Sequence, residues 1–172
     1  SGSDGILRAM RSGHTVENYK KRIDKIRSSN RNISITTDLI VGFPGESEKD
    51  FDETLDLIEY CRFDGAYIFK YSERPGTPAA ALEDDVSKEE KKVRFIELES
   101  LQRKLQNEIF SNYIGKTVSV LIEGPSQRQG QLSGHSACHK VVNFEGGPEM
   151  IGSIVDVKIT ESKRNSLFGE LC

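Results

Sequence analysis

The run Ile40-Val41-Gly42-Phe43-Pro44-Gly45-Glu46 constrains this chain more than any other stretch. The residues before it, from Ile33, alternate and then become continuously apolar, which predicts a buried parallel strand over 33–41. Ser47 then opens a helix, with Asp50 completing a capping box and Phe51, Leu55, Ile58 and Cys61 on the inner face. Strand, Gly-Pro-Gly turn and helix make the βα corner of a parallel α/β fold, where active sites sit at the carboxyl ends of the strands. Bare backbone at a strand end suits a ligand that needs close approach.

The surroundings extend the corner. Ala66 to Tyr71 reads as a second strand, giving β-α-β with a right-handed crossover. It leads into Ser72-Glu73-Arg74-Pro75-Gly76-Thr77-Pro78, a loop fixed by its prolines and glycine on the same face as the corner. Arg74 there could hold a carboxylate or phosphate. Upstream, Ser3 or Asp4 caps a short helix through Met10, and Ser1-Gly2-Ser3-Asp4 is a candidate third wall as well as a cap. Thr15 caps a second helix, with Val16, Tyr19, Ile23 and Ile26 on one face, and the Ser28–Asn32 cluster ends it. Downstream, Ser87 and Glu90 form another capping box. They start a long helix with a stripe of Leu98, Leu101, Leu105 and Ile109 that ends near Tyr113.

Beyond Gly115 the apolar period changes from helical to alternating. Val118, Val120 and Ile122 alternate, as do Val155, Val157 and Ile159, with short strand candidates around Leu132 and Val141–Phe144 between Gly and Pro turns. Short strands without a helix suggest a small OB-like β-barrel. The expected organisation is an α/β domain over 1–113 and an all-β domain over 114–172.

Composition narrows the class. A net charge of −3 over 172 residues announces no global field for nucleic acid. From Tyr113 onward six bases face six acids, so the acid excess lies upstream. Cys61, Cys138 and Cys172 match no metal or disulfide spacing and fit a reducing cytosol. No apolar run reaches the ~20 residues of a membrane span. The chain opens on Ser1 rather than Met, which reads as a piece of something longer.

An ordered set of motifs then carries a resemblance. Ser1–Asp4, Ala9-Met10-Arg11-Ser12-Gly13-His14-Thr15, Thr37–Glu46, Arg62-Phe63-Asp64 and Tyr71–Ala80 resemble the radical SAM methylthiotransferases, and the MiaB-type tRNA enzymes among them most. Gly115-Lys116-Thr117, Asn143-Phe144, Ile151-Gly152 and Ser166–Glu170 resemble the TRAM domain at the end of those enzymes. The resemblance covers essentially the whole chain. It implies the C-terminal part of an incomplete TIM-like barrel followed by an OB-like TRAM barrel.

On that resemblance, S-adenosyl-L-methionine would meet Ser1, Ser3, Ile40, Val41, Gly42, Phe43, Tyr71, Ser72 and Arg74. The superfamily's G-x-I-x-G-x-x-E pattern is altered here. Asp38 replaces its first Gly and the acid comes one place late, so Glu46 is assigned no role, and neither is His14. The family's two [4Fe-4S] clusters, one held by a C-x-x-x-C-x-x-C loop, need ligands outside this chain, since cluster thiolates are densely spaced. The chain alone is therefore expected to be catalytically inactive.

The TRAM resemblance implies RNA binding, with Lys116, Arg128, His135, Lys140, Lys158, Lys163 and Arg164 as candidates and His139 as a supplement. The implied function is methylthiolation of N6-isopentenyladenosine beside the tRNA anticodon, in the cytoplasm. Alternatives are threonylcarbamoyl-adenosine as the substrate, or a non-catalytic RNA-binding fragment. The expected partners are the anticodon stem-loop and the missing N-terminal part of the same protein. Bared strand edges predict self-association.

Overall fold

The computed structural model describes residues 1–29 and 31–172; Asn30, within the cluster expected to end the second helix, lies outside the described residues. The chain divides into two compact units, Ser1–Gln106 and Asn107–Cys172.

In the first unit the helix starts follow from side-chain caps. α1 (Asp4–Ala9) begins at Ser3, whose hydroxyl accepts from the Gly5 and Ile6 amides. α2 (Val16–Arg27) begins at Thr15, which accepts from Asn18. α3 (Glu48–Cys61) carries the full Ser47/Asp50 capping box, satisfying two backbone donors that a helix start otherwise leaves unpaired. α4 (Lys88–Ser111) starts on the reciprocal Ser87–Glu90 pair, at 3.0 and 3.1 Å. Between them β1 (Thr36–Val41) and β2 (Gly65–Lys70) pair in parallel from Thr36↔Gly65 to Val41↔Lys70. The first strand is shorter than expected, starting at Thr36 rather than Ile33. Leu39 and Val41 face a core with Ile23, Phe51, Leu57, Ile58, Cys61, Phe63, Leu98 and Leu105. The Leu98 and Leu105 stripe and the α3 inner face thus close one side of the sheet.

The second unit is a closed barrel. β3 (Thr117–Pro125), β4 (Gln131–Ser136), β5 (Val141–Glu145), β6 (Ile154–Ser162) and β7 (Leu167–Leu171) close in the order β3-β4-β5-β7-β6. All pairs are antiparallel except β5 with β7. This is the strand order of an OB-like barrel. Register shifts at Ile122/Gly124 and Ile159/Glu161 bend the long strands β3 and β6 around the closure. Inward residues alternate as expected: Val120, Ile122, Leu132, Val142, Phe144, Val157, Ile159 and Leu167 fill the interior. Phe110 and Tyr113 join this core, so the final turn of α4 belongs with the barrel. Gly134 permits the tightest crossing, since a Cβ there would lie 2.0 Å from the Leu121 carbonyl oxygen. No helix among the described residues is long and apolar enough to cross a membrane.

Candidate functional site

The strand-end corner is built by groups arriving from far along the chain. Gly42 has φ +68° and is buried. A Cβ at this position would stand 2.3 Å from Cγ of Lys91 on α4. The glycine therefore makes room for a lysine stem, not for a ligand on that side. Its N–H donates to Oε2 of Glu46 at 2.6 Å, and Arg94 donates to the same oxygen at 2.9 Å and to the Glu46 carbonyl at 2.9 Å. The Glu46 side chain has no exposure, and its Oε1 has no partner among the described residues. Burial pushes the Glu46 carboxyl above its ordinary value, against the opposing pull of the Gly42 amide and Arg94. Next to it the Gly45 amide donates to Asp85 at 2.7 Å, and Lys91 pairs with Asp84 at 2.5 Å.

Tyr71 closes the corner. Its N–H donates to the Val41 carbonyl at 2.8 Å and its hydroxyl to the Ala79 carbonyl at 3.1 Å. Its ring meets Phe43 edge-on at 5.1 Å, with Lys91 Nζ 5.2 Å from the ring centre. The neighbouring strand ends thus come together as expected. The Val41 side chain is fully buried on the helix side of the sheet, because strand alternation turns Ile40 to the open face and Val41 away from it. Only its carbonyl reaches the corner, and Tyr71 already occupies it. Phe43 is likewise buried, whereas Ser72 and Arg74 lie on the exposed part of the loop.

Ser1 and Ser3 are tied to α3. The Gly2 amide donates to Thr54 Oγ1 at 2.8 Å, the Ser3 amide donates to Ser1 Oγ at 3.2 Å, and the Ser3 hydroxyl donates to Asp50 at 2.5 Å. Ser3 is buried and spends its hydroxyl on Asp50 and the α1 cap, so its side chain serves the helix start, not a pocket wall.

The open face of the sheet carries groups that sequence reasoning missed. Register places Asp38 beside Tyr67 and Ile40 beside Phe69. Tyr67 is 68% exposed and Phe69 53%, unusual for aromatic rings in a parallel sheet. A cavity of about 340 Å³ opens along β1, lined by Asp38, Ile40 and Phe69 from the open face, by Leu39, Leu57 and Phe63 from the core side, and by Ser1. Of the expected cofactor residues it gathers Ser1 and Ile40, and its size and mostly apolar wall suit the adenosyl part of S-adenosylmethionine. The cysteines do not suit a cluster. Cys61 is buried in the α3 core, where burial pushes its thiol up, and Cys138 and Cys172 belong to the other unit.

The barrel presents a groove of about 620 Å³ over β4, β5 and β7, flanked by the β3–β4 and β6–β7 turns. Ser133, Asn143 and Phe168 form a row across these strands. Arg128 and Lys163 line the groove, the latter paired with Glu161. His135 sits further along β4, 2.8 Å from Glu123 and stacked on His139 at 4.4 Å. Arg164 is exposed in the β6–β7 turn. Lys158 lies on β6, opposite Thr117 and Glu170, and Lys116 sits 5.6 Å from the Tyr113 ring; both are off the groove. Lys140 corrects the sequence expectation. It is only 4% exposed, with Nζ over Phe110 at 5.4 Å and Tyr113 at 5.2 Å, so it is turned into the barrel and away from solvent.

One chain thus carries a parallel strand-end corner and an OB-order barrel. Residues 1–58 match the Radical SAM superfamily and residues 111–172 match the TRAM domain. Three relatives carry the name tRNA-2-methylthio-N(6)-dimethylallyladenosine synthase. Those of Pseudoalteromonas atlantica and Magnetococcus marinus are each 48% identical, and that of Haemophilus influenzae is 45% identical. Each alignment covers 99% of this chain and 36%, 39% and 36% of the respective relative. The chain is similar to these relatives along its whole length, and it spans little more than a third of theirs.

Proposed function

We propose that this chain is the C-terminal part of a cytoplasmic tRNA methylthiotransferase that modifies N6-isopentenyladenosine beside the anticodon. The observation that carries this reading is the 45–48% identity, over 99% of the chain, to synthases of that name. S-adenosylmethionine bound at an iron–sulfur cluster supplies the radical chemistry in such enzymes, and two [4Fe-4S] clusters would be held by cysteines outside this chain.

The chain's own contribution is positional. Ile40 and Phe69 offer an apolar wall to the adenosyl group, and Ser1 offers a hydroxyl. Gly42, Phe43 and Tyr71 shape the strand ends behind that wall, and Ser72 and Arg74 extend it on the loop. The last turn of α4 goes with the barrel, and the barrel would hold the anticodon stem-loop.

The test has two arms. Cells lacking the parent gene should lose the methylthio group from tRNA nucleosides by mass spectrometry and regain it only with the longer parent protein. This chain should shift tRNA in a gel, with binding that weakens steeply as salt rises. Methylthiolation by this chain alone, or no salt-sensitive binding at micromolar protein, would overturn the respective part.

A further inference from the structure

We propose that Glu46 and Arg94 form a positioning pair for the S-adenosylmethionine wall: in the longer protein, where a peptide bond precedes Ser1, the backbone N–H of Ser1 donates to Glu46 Oε1, and the carboxylate ties the Ser1 strand end to the Gly42 corner. This rests on the reading of the chain as the C-terminal part of a radical SAM methylthiotransferase. It goes beyond that reading by giving a role to two residues outside the expected cofactor set.

The pair is more than packing requires. The Glu46 side chain has no exposure and that of Arg94 11%. A buried ion pair contributes little over apolar residues of the same volume, so stability alone does not account for it. Its hydrogen bonding is also one-sided. Oε2 receives both the Gly42 amide, at 2.6 Å, and Arg94, at 2.9 Å. Oε1 is buried with no donor among the described residues, and a buried acceptor in a native fold calls for a partner. Arg94 also donates to the Glu46 carbonyl at 2.9 Å and lies 5.8 Å from the Phe51 ring, so α4 grips both ends of residue 46 and the carboxylate cannot turn away.

A donor of the right kind stands nearby. The Ser1 nitrogen is buried, and Glu46 is the charge that acts on it. The chain there lies directly on α3: the Gly2 amide donates to Thr54 at 2.8 Å, the Ser3 hydroxyl to Asp50 at 2.5 Å, and a Cβ on Gly2 would lie 2.2 Å from the Glu53 carbonyl oxygen. As a chain end, that nitrogen is an amine that burial draws below its ordinary value. As a peptide nitrogen it is a neutral N–H, which can stay buried if it has an acceptor. Joining it to Oε1 satisfies both groups. Ser1 and Ile40 line the same cavity, so the tie would fix the spacing across the wall that meets the adenosyl group.

The experiment uses the longer parent protein with its clusters loaded. It reads the dissociation constant for S-adenosylmethionine by equilibrium dialysis, and hydrogen–deuterium exchange of the Ser1 amide by mass spectrometry. Glu46→Leu with Arg94→Leu removes both charges together, so the urea midpoint should stay near that of the parent. S-adenosylmethionine binding should nevertheless weaken on the order of tenfold, and the Ser1 amide should exchange about tenfold faster. Glu46→Gln, which keeps one acceptor oxygen, should fall between, at about threefold, and decides the matter if the double variant does not fold. Lys92→Ala, on the exposed side of α4, should leave both readouts unchanged. Parent-like Ser1 exchange in the variants overturns the tie, and faster exchange with parent-like binding overturns the positioning role. A parent protein that binds no S-adenosylmethionine overturns the reading of the chain, while the Ser1 exchange still tests the tie.

Discussion

The two units solve the same problem in opposite ways. The barrel pairs each of its strands on both sides and leaves its ring of hydrogen bonds closed. Among the described residues the sheet in the first unit has only β1 and β2, so each strand pairs on one edge. The barrel buries Val120, Ile122, Leu132, Val142 and Phe144 to 0–3% exposure and leaves Ile154 and Leu121 outside, whereas the sheet leaves two aromatic rings, Tyr67 and Phe69, more than half exposed side by side on strand β2. A closed element is complete in itself. An open parallel sheet with bare rings is built to be covered, and its exposed face is where chemistry requiring several chain segments would be assembled.

The contrast can be broken most directly by measuring mass in solution. The open sheet should make the chain associate, giving at least about twice the monomer mass in light scattering at high concentration. The pair Tyr67→Lys and Phe69→Lys should return it to monomer, and the barrel-surface change Leu121→Lys should not. A monodisperse monomer for the unmodified chain would mean that the open face tolerates water.

A second test concerns how the corner is fixed. Gly42→Ala combines a left-handed φ with a Cβ 2.3 Å from Lys91, so it should cost about 2–4 kcal/mol in urea unfolding. In a Lys91→Ala background the cost should fall to the backbone share alone, about 1 kcal/mol. Equal costs in both backgrounds would remove Lys91 from the account.

The smallest effect is a pH dependence. Burial raises the folded-state carboxyl value of Glu46, so the folded protein holds its proton where the unfolded chain has lost it. Its contribution to stability is full below the ordinary carboxylate range and is lost as pH rises through the raised value. The stability of Glu46→Gln relative to the parent chain should therefore rise with pH across that window and be flat elsewhere. A difference that moved the other way would show that Arg94 and the Gly42 amide outweigh burial.

Much of this was legible in the sequence where the signal is local. The Ser47/Asp50 and Ser87/Glu90 boxes mark their helices because capping involves residues only three apart. The alternation of Val118–Ile122 and Val155–Ile159 marks barrel strands because one face is buried throughout. β7 left no such pattern: it is short and interrupted by Gly169, and the barrel recruits it through β5 and β6. The corner was legible in place but not in cause. Gly42 reads as a ligand-facing glycine until Lys91 arrives from α4, and no spacing rule connects the two. Lys140 reads as a surface cation for the same reason, since Phe110 and Tyr113 reach it from another element. The open face of β2 was hidden because aromatic residues in a strand normally signal a core.

The contact between Gly42 and Lys91 also has a meaning for descent. A lineage that enlarges residue 42 must displace or shorten the side chain at 91, and the positive φ narrows the first change to the few side chains that tolerate it. The two positions are 49 residues apart in sequence yet are expected to drift as a linked pair.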